Sequence, residues 1–595
     1  MISKRNFFTI TMVMLVCAFL FQLTGGAKLV LSKFEINEYF TGSEPEEVTS
    51  KFVVRNNNRT NFISFYGNDP KLANMLGEYC YYQKKNLVRS RSVAEILTDN
   101  GRRNADMVCI QGSAITEKDL DGIDSLIKFG HRIAFLDLPD VEVIKSSQRL
   151  RDILGIVQVY EDETHLNGIH LNKSFLIGGE QFYEALTPEA EKQQDLELDV
   201  PWYVVGSGCT MYMNGILPEE IKQRIQPGFY PAIIWSRHLG EATIFAVEGD
   251  YMRDLSGIGI LSSLEACAND FTVYPVVNAE CLVFENYPTF SNENTEKLQE
   301  LYSRNAQNVE RDLIWPGLAA VVNDTDFVPS YTTSAYITDK NAERMDKDAV
   351  DAFFQLIREQ HGEVGYAVGR NQDIQANLDF FTTYLPTYRF QYACAQNETE
   401  AATGSLLGEA GDNRFATILI NKDASTHLVD AEDDGFIGLS AVNDASVHTF
   451  SDDIRERSIL TALGYLMIAE DMSNVIYPRD EDDEWQNKFE SLASNIETYY
   501  KPLKGFDHVT LSEAGNRARS YLNSRVSGTR HGFKLILLTN ASKRQPRFCI
   551  LRTPGKEITD IEGATYDEIE EDIYLLTVTE EHVNITWEYR KAKKD

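Results

Sequence analysis

Cysteines are few and scattered, and this excludes several chemistries at once. The chain has 8 in 595 residues. Cys17 lies in an N-terminal apolar run. Cys80, Cys109, Cys209, Cys267, Cys281, Cys394 and Cys549 have no close neighbour of their own kind. There is no C-x-x-C, so neither a zinc cluster nor a thioredoxin-like pair is encoded. Cys109, Cys281 and Cys394 sit in apolar runs and read as small core hydrophobes. Positive charge is also scarce. Lys and Arg number 57 against 90 Asp and Glu, a formal charge of −33. A nucleic-acid binder is excluded, because neutralising phosphates takes clustered Lys and Arg. Glycine signatures are absent too. No G-x-G-x-x-G opens a helix after the first strand-like run, and no Walker A motif occurs. The acidic run Asp480–Glu484 lacks the glycine and alternation of a calcium loop and reads as a solvated helix start.

What is present is a globular chain with 43% hydrophobic residues, long enough for three or four domains. Its acidity suits a soluble surface, or cationic partners such as amino-sugar polymers and divalent ions. Residues 1–27 are a targeting segment: Lys4 and Arg5 precede the uncharged run Phe7–Leu23. Basic-then-apolar order predicts an uncleaved signal anchor with the body extracellular. Cleavage after Gly25-Gly26-Ala27, giving a secreted protein, is the alternative. An export signal without a disulfide framework fits a Gram-positive surface. Residues 28–58 read as a juxtamembrane stalk.

Residues 59–270 alternate strand and helix patterns. Phe62–Tyr66, Ala105–Ile110 and Ile133–Leu138 read as strands, with Lys71–Gln83, Glu117–Phe129 and Val143–Leu154 as helices. Leu120, Ile123 and Leu126 share one helical face. This order predicts a doubly wound, parallel α/β domain of amidotransferase-like or flavodoxin-like type. Its chemistry is missing. Gly206-Ser207-Gly208-Cys209 lacks the glycine that completes a nucleophile elbow, and Cys109 lies inside its strand.

Residues 271–525 repeat a strand, a polar tip and a helix, which predicts a (β/α) barrel with its site at the strand tips. The opening stretch Phe271–Pro288 is read as the first barrel strand, ending at Glu285-Asn286. Leu318–Val322 is expected as the next, ending near Asp324 and Asp326. Val364–Val368 leads to Arg370 and Asn371. Phe390–Ala395 leads to Gln396-Asn397. Ala416–Ile420 leads to Asp423 and, soon after, His427. Ile437–Val442 leads to Asp444 and His448. Val475–Tyr477 precedes Trp485. Asp453–Ala469 is expected as one helix. Residues 526–595, with four short strands and Gly/Pro punctuation, predict a small antiparallel β-sandwich.

Exported (β/α) barrels of this kind suggest carbohydrate chemistry. A metal-dependent deacetylase needs an Asp base, an Asp ligand and a close His pair, and none is assembled in sequence. Glu285, Asp324, Asp326 and His448 are the catalytic candidates, and Asp326, His427 and His448 the candidates for holding a divalent metal. A glycosidase needs two carboxylates, and several tips offer one. Asn286, Arg370, Asn371, Asp423, Asp444 and Trp485 are candidate carbohydrate-binding residues.

In order along the chain come the anchor, the α/β block, YPVVNAECLVFENYP, the W-P-x-L of Trp315–Leu318, NDTDFVPS, SVHTFSDD and DDEW. Over residues 60–590 this resembles the uncharacterised bacterial family named domain of unknown function 2194. The resemblance implies a relative of polysaccharide-deacetylase barrels, associated with Pel-type exopolysaccharide synthesis and biofilm polymers that are cationic, partly deacetylated amino sugars. The family's D-D-F-P joint is Glu285-Asn286-Tyr287-Pro288 here, which implies lost hydrolysis. The expectation is a degenerate deacetylase-like barrel that binds exopolysaccharide at the membrane, alone or with other synthase components. An active deacetylase or glycoside hydrolase with a rearranged site, or a structural subunit docking to a membrane synthase, are the alternatives.

Overall fold

The computed structural model describes residues 61–99, 105–184, 195–222, 229–368, 374–395, 415–420, 427–431 and 436–591. The expected anchor and stalk lie outside them, as do Arg370, Asn371, Asn397 and Asp423. Among the described residues no helix is long and apolar enough to cross a membrane.

The first block is built on a nine-stranded mixed sheet. Strands β1 (Phe62–Tyr66), β2 (Asn86–Ser90), β3 (Met107–Gln111) and β4 (Arg132–Asp137) are parallel to one another. Further along the chain come β5 (Ile156–His165), β6 (Gly168–Leu171), β7 (Gln181–Glu184), β8 (Asp199–Val205), β9 (Cys209–Ile216), β10 (Ala232–Leu239) and β11 (Ala242–Val247). The sheet order is β2-β1-β3-β4-β11-β10-β9-β6-β7, while β5 and β8 form a separate ribbon. Only β11 adds to the parallel half; β10, β9, β6 and β7 are antiparallel to their neighbours. The parallel expectation therefore holds for half the sheet. The rest is hairpins, which need no crossover helix. Local chemistry sets the first helix. Asp69 caps Pro70–Tyr82 by accepting from Lys71 N at 2.8 Å, and Pro70 fills the first turn, where its missing N–H costs nothing. The predicted face of Leu120, Ile123 and Leu126 is buried.

The opening stretch divides. Strand β12 (Thr272–Val276) leaves for the last block, and β13 (Ala279–Glu285) begins the second. All seven residues of β13 are buried, consistent with a central strand. With it run β14 (Ser330–Thr333), β15 (Glu363–Val368), β16 (Tyr392–Ala395), β17 (Thr417–Ile420), β18 (Val429–Ala431), β19 (Ile437–Leu439), β20 (Asn443–Asp444) and β21 (Tyr465–Asp471). Their order is β18-β19-β17-β16-β15-β14-β13-β21-β20. The first strand thus lies beside the last long one, and the sheet is rolled into a barrel-like form, open where β18 and β19 face the two-residue β20. Every pairing is parallel except β18 with β19. The two faces separate cleanly. Cys281 and Val283 share a core with Cys394, Leu419, Leu439 and Met467. Leu282 and Phe284 pack the other way, with Tyr331, Ile418 and Ile468.

Three sequence expectations change here. Leu318–Val322 lies in the helix Trp315–Asn323, which starts with Pro316 in its first turn; a short apolar run alone does not separate helix from strand. Asp453–Ala469 is not one helix. Helix Phe450–Leu463 stops at left-handed Gly464 (φ 59°), and β21 follows. Val475–Tyr477 likewise falls on a short helix, Ser473–Ile476, rather than a strand.

Helix Leu511–Asn523 closes the N-terminal end of the rolled sheet. Leu511 N donates to Ser330 Oγ at 2.8 Å, Ser512 N to Glu363 Oε1 at 2.7 Å, and Arg519 Nη2 to Ala416 O at 3.0 Å. Helix Ser256–Cys267 of the first block crosses helix Phe450–Leu463 at Gly259. Gly259 N donates to Ser458 Oγ at 2.7 Å, and a Cβ there would sit 2.2 Å from Ser458 O.

The last block contains β22 (Val526–His531), β23 (Lys534–Thr539), β24 (Arg547–Arg552), β25 (Lys556–Glu562), β26 (Ala564–Glu570), β27 (Ile573–Val578) and β28 (His582–Tyr589). They form two four-stranded sheets, β12-β24-β27-β26 and β22-β23-β28-β25. Leu535, Cys549, Tyr574, Ile585 and Trp587 from both sheets meet in one core.

Candidate functional site at the mouth of the rolled sheet

The inner face of β13 runs Cys281, Val283, Glu285, so the apolar strand ends by turning a carboxylate inward. Glu285 is 3% exposed. Its Oε2 accepts from Cys394 Sγ at 3.0 Å. Cys394 comes from β16, three places along the sheet, so this contact crosses the lumen. Burial, and then the adjacent Glu285 carboxylate, push the Cys394 thiol well above its ordinary value. The pair is a hydrogen-bond donor and acceptor; it is not a thiolate nucleophile.

Register places Asp471 of β21 directly beside Glu285. Asn286 follows with φ 54°, a left-handed conformation that asparagine tolerates better than most residues. That turn swings its side chain onto the neighbouring tip: Asn286 Nδ2 donates to Asp471 Oδ1 at 2.8 Å, which also accepts from Ser473 N at 2.9 Å. Asn286 N donates to Thr332 Oγ1 at 3.2 Å and Tyr287 N to Thr332 O at 2.7 Å. Asn286 therefore ties three adjacent strands, reaching β21 through its side chain and β14 through its backbone.

A carboxylate fastens the loops above. Glu293 accepts from Ile337 N at 2.7 Å, Thr338 N and Asp339 N at 2.8 Å, and Ser291 Oγ and Tyr477 OH at 2.6 Å. Burial alone would raise its pKa; the donors outweigh it and hold the group below the usual carboxylate range. On the outer face, Glu470 is paired with Lys488 Nζ at 2.5 Å and accepts from Ser446 N at 2.9 Å. Burial, then the Asp444 charge, push Glu470 up to about 8. Asp444 itself is exposed at the end of β20 and accepts from Ser446.

The other candidates are elsewhere. Asp324 caps the helix Trp315–Asn323 and is paired with Lys501 at 2.8 Å on the surface. Asp326 lies near His508, whose ring stacks on Phe327 and whose Nε2 is 3.0 Å from Glu280 Oε2. Both aspartates precede β14 and so lie at the end opposite Glu285; because their expected strand is a helix, they are not at a strand tip. His427 is turned onto the first block, 2.8 Å from Glu78 and stacked on Tyr81. His448 is buried behind the sheet, 3.0 Å from Glu456. Trp485 is 8% exposed and packs on Phe489 and Gly317, so its ring is core and offers no sugar-stacking face. Among the described residues one group has metal-ligand spacing, His448 with Asp453 and Glu456, and it excludes Glu285. A deacetylase metal set at the first tip does not fit these donors.

Glu470 and Asp471 escape sequence reasoning because the expected helix Asp453–Ala469 takes in most of β21, and Lys488 because nothing in the helix Trp485–Asn495 marks it as the partner of Glu470. Gly464 was the available signal, as a left-handed helix stop.

No protein-family model matches the chain, and no curated protein sequence matches it. Solved structures do. Agd3, described as a novel carbohydrate deacetylase, matches with a TM-score of 0.51, 8% identity, and coverage of 89% of this chain and 98% of its own. An exo-β-1,4-mannosidase from Opitutaceae bacterium strain TAV5 matches 32% of each chain at 10% identity, with a TM-score of 0.21. A putative ThuA-like protein from Bacteroides uniformis matches 35% of this chain and 89% of its own at 8% identity, also with a TM-score of 0.21. The last two carry no argument. At 8% identity the first likeness is one of fold: along most of its length the chain is built like a carbohydrate deacetylase.

Proposed function

We propose that this chain is a membrane-anchored, extracellular carbohydrate-binding protein of exopolysaccharide assembly, acting on a Pel-like, cationic amino-sugar polymer. On this reading the first block is a doubly wound, amidotransferase-like domain. The rolled sheet is a deacetylase-like barrel that holds polymer without cutting it, and the last block is a small β-sandwich. The fold shared with a carbohydrate deacetylase supports the ligand class. The formal charge of −33 supports a cationic polymer.

The observation that carries the binding reading is the tip of β13. Asn286 stands where a hydrolytic pair needs a second carboxylate, and its amide is spent on Asp471. His427, His448 and His508 are engaged with Glu78, Glu456 and Glu280. The test titrates full-length chain, in detergent, with partly deacetylated chitosan oligomers at low salt. Saturable binding that weakens with added salt, without acetate release, is expected; absence of binding at low salt sinks the proposal. A second reading, an active deacetylase or glycoside hydrolase with a rearranged site, draws on Glu285 and Asp471 lying side by side at adjacent tips. Acetate release or chain shortening that Asp471→Asn abolishes would establish it instead.

A further inference from the structure

A second cluster lies behind the rolled sheet, at the start of helix Phe450–Leu463. Thr449 caps that helix with a reciprocal capping box through Asp452, which fixes the turn carrying His448. Asp453 and Glu456 follow on one helical face, three residues apart. All three side chains are withdrawn from solvent: His448 and Glu456 are 0% exposed and Asp453 is 1% exposed. One donor atom from each lies within 4.8 Å of the others.

Each carboxylate has one oxygen held by protein donors. Glu456 Oε1 accepts from Tyr500 OH at 2.9 Å and Asn443 Nδ2 at 3.1 Å. Asp453 Oδ2 accepts from Tyr183 OH and Arg457 Nε, each at 2.6 Å. The other atoms are uncommitted or paired only within the cluster. Glu456 Oε2 meets His448 Nε2 at 3.0 Å, while His448 Nδ1 and Asp453 Oδ1 are buried without a partner. Burying Asp453 Oδ1 unpaired costs about 1–3 kcal/mol, which an ion beside it would offset; Nδ1, directed away from the Nε2 that faces Glu456, is not part of that gain.

We propose that His448, Asp453 and Glu456 bind a zinc-class divalent ion. One imidazole and two carboxylates, with a fourth position for water, is a donor set such ions accept. Bonds of about 2.0–2.2 Å place donors about 3.4 Å apart around the ion. The His448–Glu456 pair, at 3.0 Å, opens slightly to that spacing, and a pair at the 4.8 Å limit closes by about 1.4 Å, given bonds of that length. The oxygens turned away from the ion keep Tyr500, Asn443, Tyr183 and Arg457, and partners of that kind orient metal-binding carboxylates. The position gives the ion a structural role. Asn443 belongs to β20, the two-residue strand at the open seam, and Tyr183 belongs to the first block. An ion here fastens the seam to both neighbours. This inference does not depend on the polymer-binding reading.

The experiment uses full-length chain stripped with chelator and titrated with Co²⁺, then Zn²⁺. One equivalent of Co²⁺ should give the visible absorption of a low-coordinate site, Zn²⁺ should bleach it, and Tm should rise with either ion. Glu456→Gln and His448→Ala should lose the absorption, whereas Asp326→Asn should keep it. No absorption and no Tm rise in the unaltered chain would mean that the cluster holds buried water only, and would overturn the proposal. Persistence of the band in both variants, with their fold confirmed by circular dichroism, would overturn it too. If those variants fail to fold, the titration of the unaltered chain decides alone.

Discussion

Replacing Glu310 by glutamine should stabilise the protein in alkali and leave it unchanged in mild acid. Glu310 is 0% exposed. It accepts from Thr289 N at 3.0 Å and from Thr289 Oγ1, and its backbone O accepts from Tyr287 OH at 3.1 Å. It thus anchors the segment that leaves the mouth after Asn286. Its Oε2 is buried without a partner. Burial outweighs the Thr289 bonds and pushes its pKa from 4.5 to about 8. Below pH 4.5 both folded and unfolded forms are protonated, and the residue is neutral in its effect. As pH rises, the unfolded chain gives up its proton first, so stability falls; the loss is complete above pH 8. A rise from 4.5 to about 8 corresponds to about 5 kcal/mol, of which about 3 kcal/mol has accrued by pH 7. Glutamine keeps the oxygen that accepts from Thr289 and never ionises. Urea denaturation followed by tryptophan fluorescence at pH 5, 7 and 9 reads the difference. The two proteins should agree at pH 5 to within about 1 kcal/mol, the scale of one altered hydrogen bond. The glutamine form should pull ahead by several times that at pH 9. Parallel pH profiles would refute the reasoning, because they would mean that Glu310 ionises as it does in water.

Gly259→Ala should separate the first block from the rolled sheet, since the new methyl would lie 2.2 Å from Ser458 O. A loss of about 1–3 kcal/mol is the scale of such overpacking, and faster proteolysis between the blocks is the readout. Lys488→Met should leave Glu470, 0% exposed, without its counter-charge. A loss of about 3–5 kcal/mol is expected at pH 9, with most of it recovered when Glu470→Gln is added. Thermal melts of the single and double variants check this, and equal losses in both would show that the pair was not coupled.

Much of this architecture was legible because buried strands write themselves as apolar runs. The run Ala279–Glu285 announced its strand, and its polar ending announced the mouth. Other runs were ambiguous for a physical reason. Apolar stretches of five or six residues satisfy a buried helix as well as a buried strand, so Leu318–Val322 was placed in the wrong element and β21 was absorbed into its preceding helix. The local signals were Pro316 and Gly464. Much of the antiparallel half of the first sheet was not legible, since β6 and β7 are only four residues long and β9 is half-exposed over its first residues. The partners at the mouth were beyond reach for another reason. Cys394 meets Glu285 only because the sheet rolls and brings β16 across the lumen from β13, and Asn286 meets Asp471 only because the first and last long strands, β13 and β21, pair. Such contacts depend on register across the whole roll, and no stretch of sequence records it. Arg370, Asn371 and Asp423 lie outside the described residues.

The division of the opening stretch between β12 and β13 bears on how the chain is made. Strand β12 emerges from the ribosome immediately before the rolled sheet begins, yet its partner β24 is among the last segments synthesised. Until then β12 has an unsatisfied edge, the kind of surface that invites pairing with another chain. A shortened protein ending near residue 525 would carry that open edge permanently. Cutting the gene into its apparent modules should therefore yield aggregation-prone fragments, and studies of this protein are best made on the uncut chain.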